Sequence, residues 1–205
     1  METIILPAGH ENAIPHALEI LKRGGLVAFP TDTVYGVGSL AFDAKAVESI
    51  YAAKDRPVEK AIPILIGGLE DLDKVTEKIP PMAAKLAARF WPGALTLVVS
   101  KHPDLPEVVS AMPTVGVRVP DHPVARILLT AAGPMAATSA NMSGQDSPKT
   151  AEEVSRQLNG RISLILDGGE TPGGVPSTVV NCLGTEPVIL RKGPISLDDI
   201  QFVLV

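Results

Sequence analysis

Apolar runs alternate with amphipathic stretches from one end of the chain to the other, the pattern of an α/β protein. Between Asn12 and Arg23, Ile14, Ala17, Leu18 and Leu21 recur at helical spacing, and Gly24-Gly25 stops that helix ahead of an apolar strand, Leu26 to Phe29. Asp43 is placed to cap a second helix in which Val47, Ile50 and Tyr51 share one face, running to about Lys54 before Pro57. Further strands are predicted at Ile62 to Ile66, Leu95 to Val99, Val115 to Val119, Met135 to Ser139, Ser163 to Leu166, Thr178 to Cys182 and Val188 to Arg191. Helices are predicted at Leu69 to Lys78, Met82 to Phe90, Pro123 to Ala132 and Ala151 to Leu158. Proline and glycine border "HPDLPEVVSAMPT" and "GGETPGGVPS", which suggests loops entering a shared cleft rather than linkers. With no internal repeat and no low-complexity tail, the chain reads as one compact α/β domain.

Composition narrows the function classes. A 205-residue chain with 45% hydrophobic residues can bury a substantial core and fold alone. Its formal charge of −5 gives no general pull toward nucleic acid or anionic membrane, so any cationic site must be local. The single cysteine, Cys182, excludes an intrachain disulfide and reads as a small buried apolar side chain. No basic leader segment opens the sequence and no run approaches the roughly 20 apolar residues that span a bilayer; the expectation is a cytoplasmic protein.

The polar residues collect at strand ends. "PTDTVYG" follows the Leu26 to Phe29 strand; Pro30 ends the ladder, the loop is expected to leave the sheet at its edge, and Thr31 and Thr33 point the same way in extended backbone. Taken alone, the segment also reads as a turn in which Asp32 and the threonines satisfy backbone groups. In "KDRPVEK", Pro57 pushes Arg56 out of helical geometry, so Lys54 and Arg56 can align on one side of an extended exit with Lys60 close behind. Three cations so placed suit a polyphosphate, although each alone is an ordinary solvated residue. "TSANMSGQDSPKT" puts Ser139 and Asn141 on one face, with Ser147 and Thr150 as helix-cap candidates. Arg118 lies within the apolar "VGVRVP", and a buried arginine demands a carboxylate from the protein or from a ligand. "GGVPSTVV" and "PVILRKGPIS", with Arg191 at a strand end, complete the set.

Familiar chemistries are missing. There is no P-loop and no glycine-rich dinucleotide fingerprint. His10, His16, His102 and His122 lack metal-ligand spacing, and no histidine falls in the polar segments to build a Ser-His-Asp set. Cations, hydroxyls and amides remain, which suit a phosphorylated ligand plus a small carboxylate, with catalysis by charge stabilisation.

"PTDTVYG", "KDRP" with "KAIPILI", "VGVRVP", "TSANMSG", "PSTVV" and "ILRKGPIS" occur in the order seen in the YrdC-like family of threonylcarbamoyl-AMP synthases, and the chain resembles that family from about Gly25 to Ile195. The resemblance implies a single-domain twisted mixed α/β sheet with flanking helices and a concave, positively charged cleft. It implies condensation of L-threonine, bicarbonate and ATP into threonylcarbamoyl-AMP with release of pyrophosphate, and later transfer of the threonylcarbamoyl group to the adenosine beside the anticodon of tRNA. Lys54 and Arg56 would be catalytic. Arg56, Lys60, Thr114, Ser139, Asn141, Ser147 and Arg191 would surround ATP, and Thr33, Arg118, Ser177 and the backbone near Ala137 would hold threonine. Mg²⁺ would arrive with ATP, with no protein metal ligands assigned. Leu65 stands where some relatives carry a histidine, and the extra C-terminal domain of longer relatives is expected to be missing. Contacts with tRNA or with a threonylcarbamoyl-transfer complex stay open. A binding-only module that holds RNA is the non-enzymatic alternative; 3% aromatic residues and a net negative charge weaken it.

Overall fold

The computed structural model describes residues 2–173 and 175–204, so Gly174 of the "GGVPSTVV" segment lies outside the described residues. The chain runs β1 (Ile4–Pro7), α1 (Ala13–Lys22), β2 (Val27–Phe29), β3 (Gly36–Leu40), α2 (Ala44–Lys54), β4 (Ile64–Leu65), a 3-10 turn (Leu69–Asp71) leading into α3 (Leu72–Val75), and α4 (Pro81–Phe90). It continues with β5 (Leu95–Ser100), β6 (Thr114–Arg118), α5 (Pro123–Ala132), β7 (Met135–Ser139), α6 (Ala151–Leu158), β8 (Leu164–Asp167), β9 (Thr178–Asn181), β10 (Val188–Arg191) and α7 (Leu197–Leu204). The strands form one mixed sheet in the order β1-β8-β2-β3-β7-β4-β6-β5-β9-β10.

Local chemistry sets the helix ends. Asp43 caps α2 as predicted, its carboxylate accepting from Ala46 N at 3.1 Å. Thr150 caps α6, and His122 caps α5 by accepting from Val124 N. Gly24, at φ +76°, turns the chain out of α1 with a backbone that side-chain-bearing residues rarely adopt.

Side-chain alternation along the strands divides the core into two layers. On one face, Ala28, Val37, Ala136, Ile64, Val117, Leu97 and Val180 pack with residues of α2, α4, α6 and α7 such as Ile50, Leu86, Leu158 and Ile200. On the other face, Phe29, Leu164, Leu166, Met135, Ala137 and Leu65 pack under Ala17 and Leu21 of α1 and Leu128 and Leu129 of α5. Each fully buried aliphatic contributes about 1.5–3 kcal/mol to this core. Helices α1 and α5 thus cover only the half of that second face built on β8, β2, β3, β7 and β4.

Four elements differ from the sequence expectation. β1 and α7 were not predicted, and the loop after Pro30 returns at once as β3, paired antiparallel to β2 with Phe29 opposite Gly36. β2 is therefore an interior strand, and the "PTDTVYG" loop does not mark a sheet edge; the edges are β1 and β10. The helix expected from Leu69 to Lys78 is shorter, because Thr76 is extended and bridges Lys101. Cys182 is buried as read, and burial pushes its thiol up to about 12, which makes it inert at neutral pH. Among the described residues no helix is long and apolar enough to cross a membrane.

Gly193 lets the exit of β10 pass against the start of β9: a Cβ there would lie 2.2 Å from Thr178 N and 2.6 Å from Pro176 O. Gly193→Ala is expected to cost about 2 kcal/mol or more, because both obstacles are backbone and cannot swing aside. Urea denaturation checks this; an unchanged midpoint would contradict the close approach.

Candidate functional site

The uncovered half of the second sheet face forms a cleft of about 530 Å³. Its floor is the alternating set Thr96 and Val98 of β5, Thr114, Gly116 and Arg118 of β6, and Val179 of β9. Thr33 and Val34 of the loop after β2, Ala137 and Ser139 of β7, Arg56 after α2, and Leu190 and Arg191 of β10 form its walls. Among the described residues that line it there are three arginines and no carboxylate. Gly116 keeps the floor open, since a Cβ there would meet Thr96 Cγ2 at 3.0 Å.

Nine of the residues proposed from sequence line this cleft: Thr33, Arg56, Thr114, Arg118, Ala137, Ser139, Ser147, Ser177 and Arg191. Leu65 lines it as well, beside Arg118 in parallel register. Ser147, a cap candidate in the sequence, lines the cleft, while Thr150 does the capping.

Lys54, Lys60 and Asn141 are placed differently. Lys54 and Arg56 do not align on one extended side. Lys54 is the last helical residue of α2, and Asp55 turns the chain through a left-handed conformation at φ 48°, ψ 45°. The Lys54 side chain, 1% exposed, then runs inward beneath β7 and donates to the carbonyl oxygens of Ser139 and Asn141. Arg56 turns to the cleft, held by Lys60 O at 3.2 Å and Ala61 O at 3.0 Å. Lys60 contributes that carbonyl while its side chain is exposed, away from the cleft lining. Asn141 also sits behind the wall: Oδ1 accepts from Ser139 Oγ, and Nδ2 donates to Met142 O and Gln145 O at 2.8 Å each.

Arg118, 6% exposed, has its carboxylate partner within the protein. Nη2 pairs with Asp32 Oδ1 at 2.5 Å, Nη1 donates to Thr33 Oγ1 at 3.2 Å, and Nε donates to Gly93 O at 2.9 Å. Three of the five guanidinium N–H groups are thereby committed and two are left for a ligand. The same Asp32 oxygen accepts from Asp121 N at 3.0 Å, so the pair is anchored to two loops. Burial pulls Arg118 below the ordinary arginine value and Asp32 works against that shift. Arg191 is lowered by burial and then by the charge of Arg118, and Arg56 by burial. Lys54 is pushed down to about 7 by burial and then by Arg56, while the two accepting carbonyls favour its charged form.

The loop after β2 is held by its own polar residues. Thr31 Oγ1 donates to Val34 O at 2.7 Å and accepts from Thr33 N and Val34 N, the turn chemistry read from sequence, and it lies 3.0 Å from Thr33 Oγ1. Tyr35 OH donates to Gly169 O at 2.8 Å and accepts from Gly168 N, tying this loop to the one after β8. Burial, above all, pushes the Tyr35 phenol up to about 12, so it keeps its proton. Sequence reasoning missed Asp32 as the partner of Arg118 and Thr96 on the floor. The signal for Thr96 was present as a hydroxyl inside the apolar "ALTLVV", of the same kind as Arg118 in "VGVRVP". Among the described residues no group of three or more His, Cys, Asp or Glu side chains is placed to hold a metal ion.

The family model Sua5_yciO_yrdC, described as Telomere recombination, matches residues 19–193. A threonylcarbamoyl-AMP synthase of Bacillus subtilis is 45% identical over 194 residues, covering 93% of this chain and 56% of that protein. A threonylcarbamoyl-AMP synthase of Pyrococcus abyssi is 44% identical over 190 residues, covering 92% of this chain and again 56% of the relative. The chain therefore spans little more than half the length of these curated relatives. The crystal structure of P. abyssi Sua5 complexed with L-threonine superposes with a TM-score of 0.93 at 42% identity, over 100% of this chain and 61% of that one. With the match reaching from α1 past β10 and the same fold in a solved member, the chain belongs to the Sua5/YciO/YrdC family.

Proposed function

We propose that this chain condenses L-threonine, bicarbonate and ATP into L-threonylcarbamoyladenylate and pyrophosphate, supplying the activated group for threonylcarbamoyladenosine formation beside the anticodon of tRNA. The observation that carries the reading is the convergence of Arg56, Arg118 and Arg191 with the hydroxyls of Thr33, Thr114, Ser139, Ser147 and Ser177 on one open cleft without a lining carboxylate among the described residues. Relatives named threonylcarbamoyl-AMP synthase and a relative solved with L-threonine support the substrate assignment.

In this reading the threonine carboxylate takes the two free N–H groups of Arg118, beside Thr33, Ser177 and the Ala137 backbone. Its amine attacks the carbon of bicarbonate and water leaves, giving a carbamate. A carbamate oxygen then attacks the α-phosphorus of ATP, and the bond to the β-phosphate bridging oxygen breaks to release pyrophosphate. Negative charge grows on the α-phosphoryl and leaving oxygens, where Arg56 and Arg191, already fixed by backbone carbonyls, stabilise it without reorganisation. Thr114, Ser139 and Ser147 supply neutral donors around the nucleotide. The magnesium ion that accompanies ATP would be held by phosphate oxygens and water, a donor set consistent with the absence of lining carboxylates among the described residues.

Lys54 serves here as a brace rather than a phosphate ligand: it ties α2, which delivers Arg56, to the β7 end that carries Ser139. Its pKa has a stability consequence. The unfolded lysine keeps its proton to about the ordinary 10.5 while the folded one releases it near 7, so between those values the unfolded chain binds more protons. Stability from this group therefore rises with pH across that window, and the cost of the buried charge is fully present below it. Lys54→Met lacks the titration, so the stability of wild type relative to the variant should grow between about pH 6.5 and about pH 9.5. A pH-independent difference in urea denaturation would show that Lys54 titrates normally.

Two tests address the reaction. Purified protein given ATP, bicarbonate and threonine should release pyrophosphate and form a product with the mass of the adenylate, both requiring all three substrates. ATP cleavage at the same rate without threonine and bicarbonate would overturn the assignment. Arg118→Lys keeps a charge for Asp32 but loses the planar fork, so threonine affinity should fall about tenfold or more with ATP affinity within about twofold. Calorimetry with each ligand checks this; equal weakening of both would remove Arg118 from the threonine pocket.

A further inference from the structure

We propose that Thr96 is a positioning residue of the cleft, fixing the Ser177 hydroxyl and through it the guanidinium of Arg191. Thr96 lies on the floor in β5, 5% exposed, with Val179 opposite it in the parallel β5–β9 register. That register brings Thr96 Oγ1 to 2.8 Å from Ser177 Oγ, which is itself 3% exposed. Arg191 commits to the same residue three times: Nε donates to Ser177 O at 3.1 Å, and Nη2 donates to Ser177 O at 2.9 Å and to Ser177 Oγ at 3.0 Å. Arg191 therefore takes its orientation from Ser177, and the free rotor in that arrangement is the Ser177 hydroxyl.

Proton counting gives Thr96 its role. Arg191 has no acceptor to offer, so its Nη2–H occupies one lone pair of Ser177 Oγ. The two hydroxyls have two protons, and one of these is used between them, whichever is the donor. The second proton belongs to a pair that lines the cleft, and it is the one a ligand oxygen would accept. Thr96 thereby stops the Ser177 hydroxyl from rotating away from Arg191 and keeps one O–H of the pair available beside two guanidiniums. Without Thr96, Ser177 would satisfy its proton elsewhere, and the one Nη2 contact made to the hydroxyl, which adds to the two made to the Ser177 carbonyl, would weaken and loosen the fork.

The inference rests on assigning Arg191 and Ser177 to ligand binding, so its test includes a readout that does not need the reaction. Thr96→Val keeps the shape and removes the hydroxyl; Thr96→Ser keeps the hydroxyl. In the ¹⁵N-labelled protein, hydrogen exchange at Arg191 Nε–H should be about fivefold faster or more in Thr96→Val and near wild type in Thr96→Ser. ATP affinity by calorimetry should fall about tenfold in Thr96→Val and be restored in Thr96→Ser. Should Thr96→Val fail to fold, Thr96→Ala serves as the hydroxyl deletion. Arg191 exchange unchanged by hydroxyl deletion, failure of serine to restore it, or undiminished ATP binding beside a wild type that binds ATP would each overturn the proposal. If wild type binds no ATP, the synthase reading fails on its own, and the exchange rates with serine rescue decide the role of Thr96.

Discussion

A sheet of ten strands has two faces to bury, and the helices of this chain cover one and a half. Everything about the site follows from that shortfall. Over β8, β2, β3, β7 and β4 the second face is sealed by α1 and α5, with Leu21 and Leu128 against Phe29 and Leu164. Over β6, β5 and β9 the same face carries Arg118, Gly116, Thr114 and Thr96 where a helix-covered sheet would carry leucine or valine. The opposite face of those strands is apolar apart from Thr178, whose hydroxyl donates to Ile195 O at 2.8 Å, with Leu95, Leu97 and Val117 packed toward α4 and α7. The strands can therefore be stable and functional at once, because the period of two assigns each task to a different set of side chains.

Putting polar groups on such a floor carries a desolvation cost that must be offset by fixed partners. Each arginine of the cleft shows how. Arg118 uses Asp32, Thr33 and the Gly93 carbonyl; Arg191 uses Ser177; Arg56 uses the Lys60 and Ala61 carbonyls. Arg118 alone has a carboxylate, and it is the most buried of the three, as expected when a guanidinium far from water needs an opposite charge. The other two have no acidic partner among the described residues and face the cleft, and in the proposed reading they are the cations that meet the phosphates. Preorganisation of this kind means that little has to move when charge develops on a ligand.

Lys54 shows the limit of arguing from spacing. Lys-x-Arg before a proline suggested two cations reaching one space. A lysine at the last turn of α2 instead finds two orphan carbonyls at the end of β7, and a buried ammonium with acceptors at hand is better placed there than beside Arg56. The segment keeps a structural task, since Lys54 ties the end of α2, which precedes Arg56, to the end of β7 that carries Ser139.

Local and periodic features were legible in the sequence. The α/β alternation, the Asp43 cap and the shared direction of Thr31 and Thr33 depend on neighbours a few residues away, and all three are present. Nine of twelve proposed site residues lie on the cleft because strand ends and polar interruptions of apolar runs are themselves local signals. Tertiary structure decided the rest. Asp32 meets Arg118 across 86 positions of chain, and Thr96 meets Ser177 across 81, distances over which no spacing rule operates. In β10 strict alternation would send Leu190 and Arg191 to opposite faces, yet a bulge, in which Ile189 and Arg191 face the adjacent Val180 and Val179, brings both to the cleft. Sequence determined which side chains could be polar and still leave a core; only the packing of distant strands decided which partner each buried charge would find.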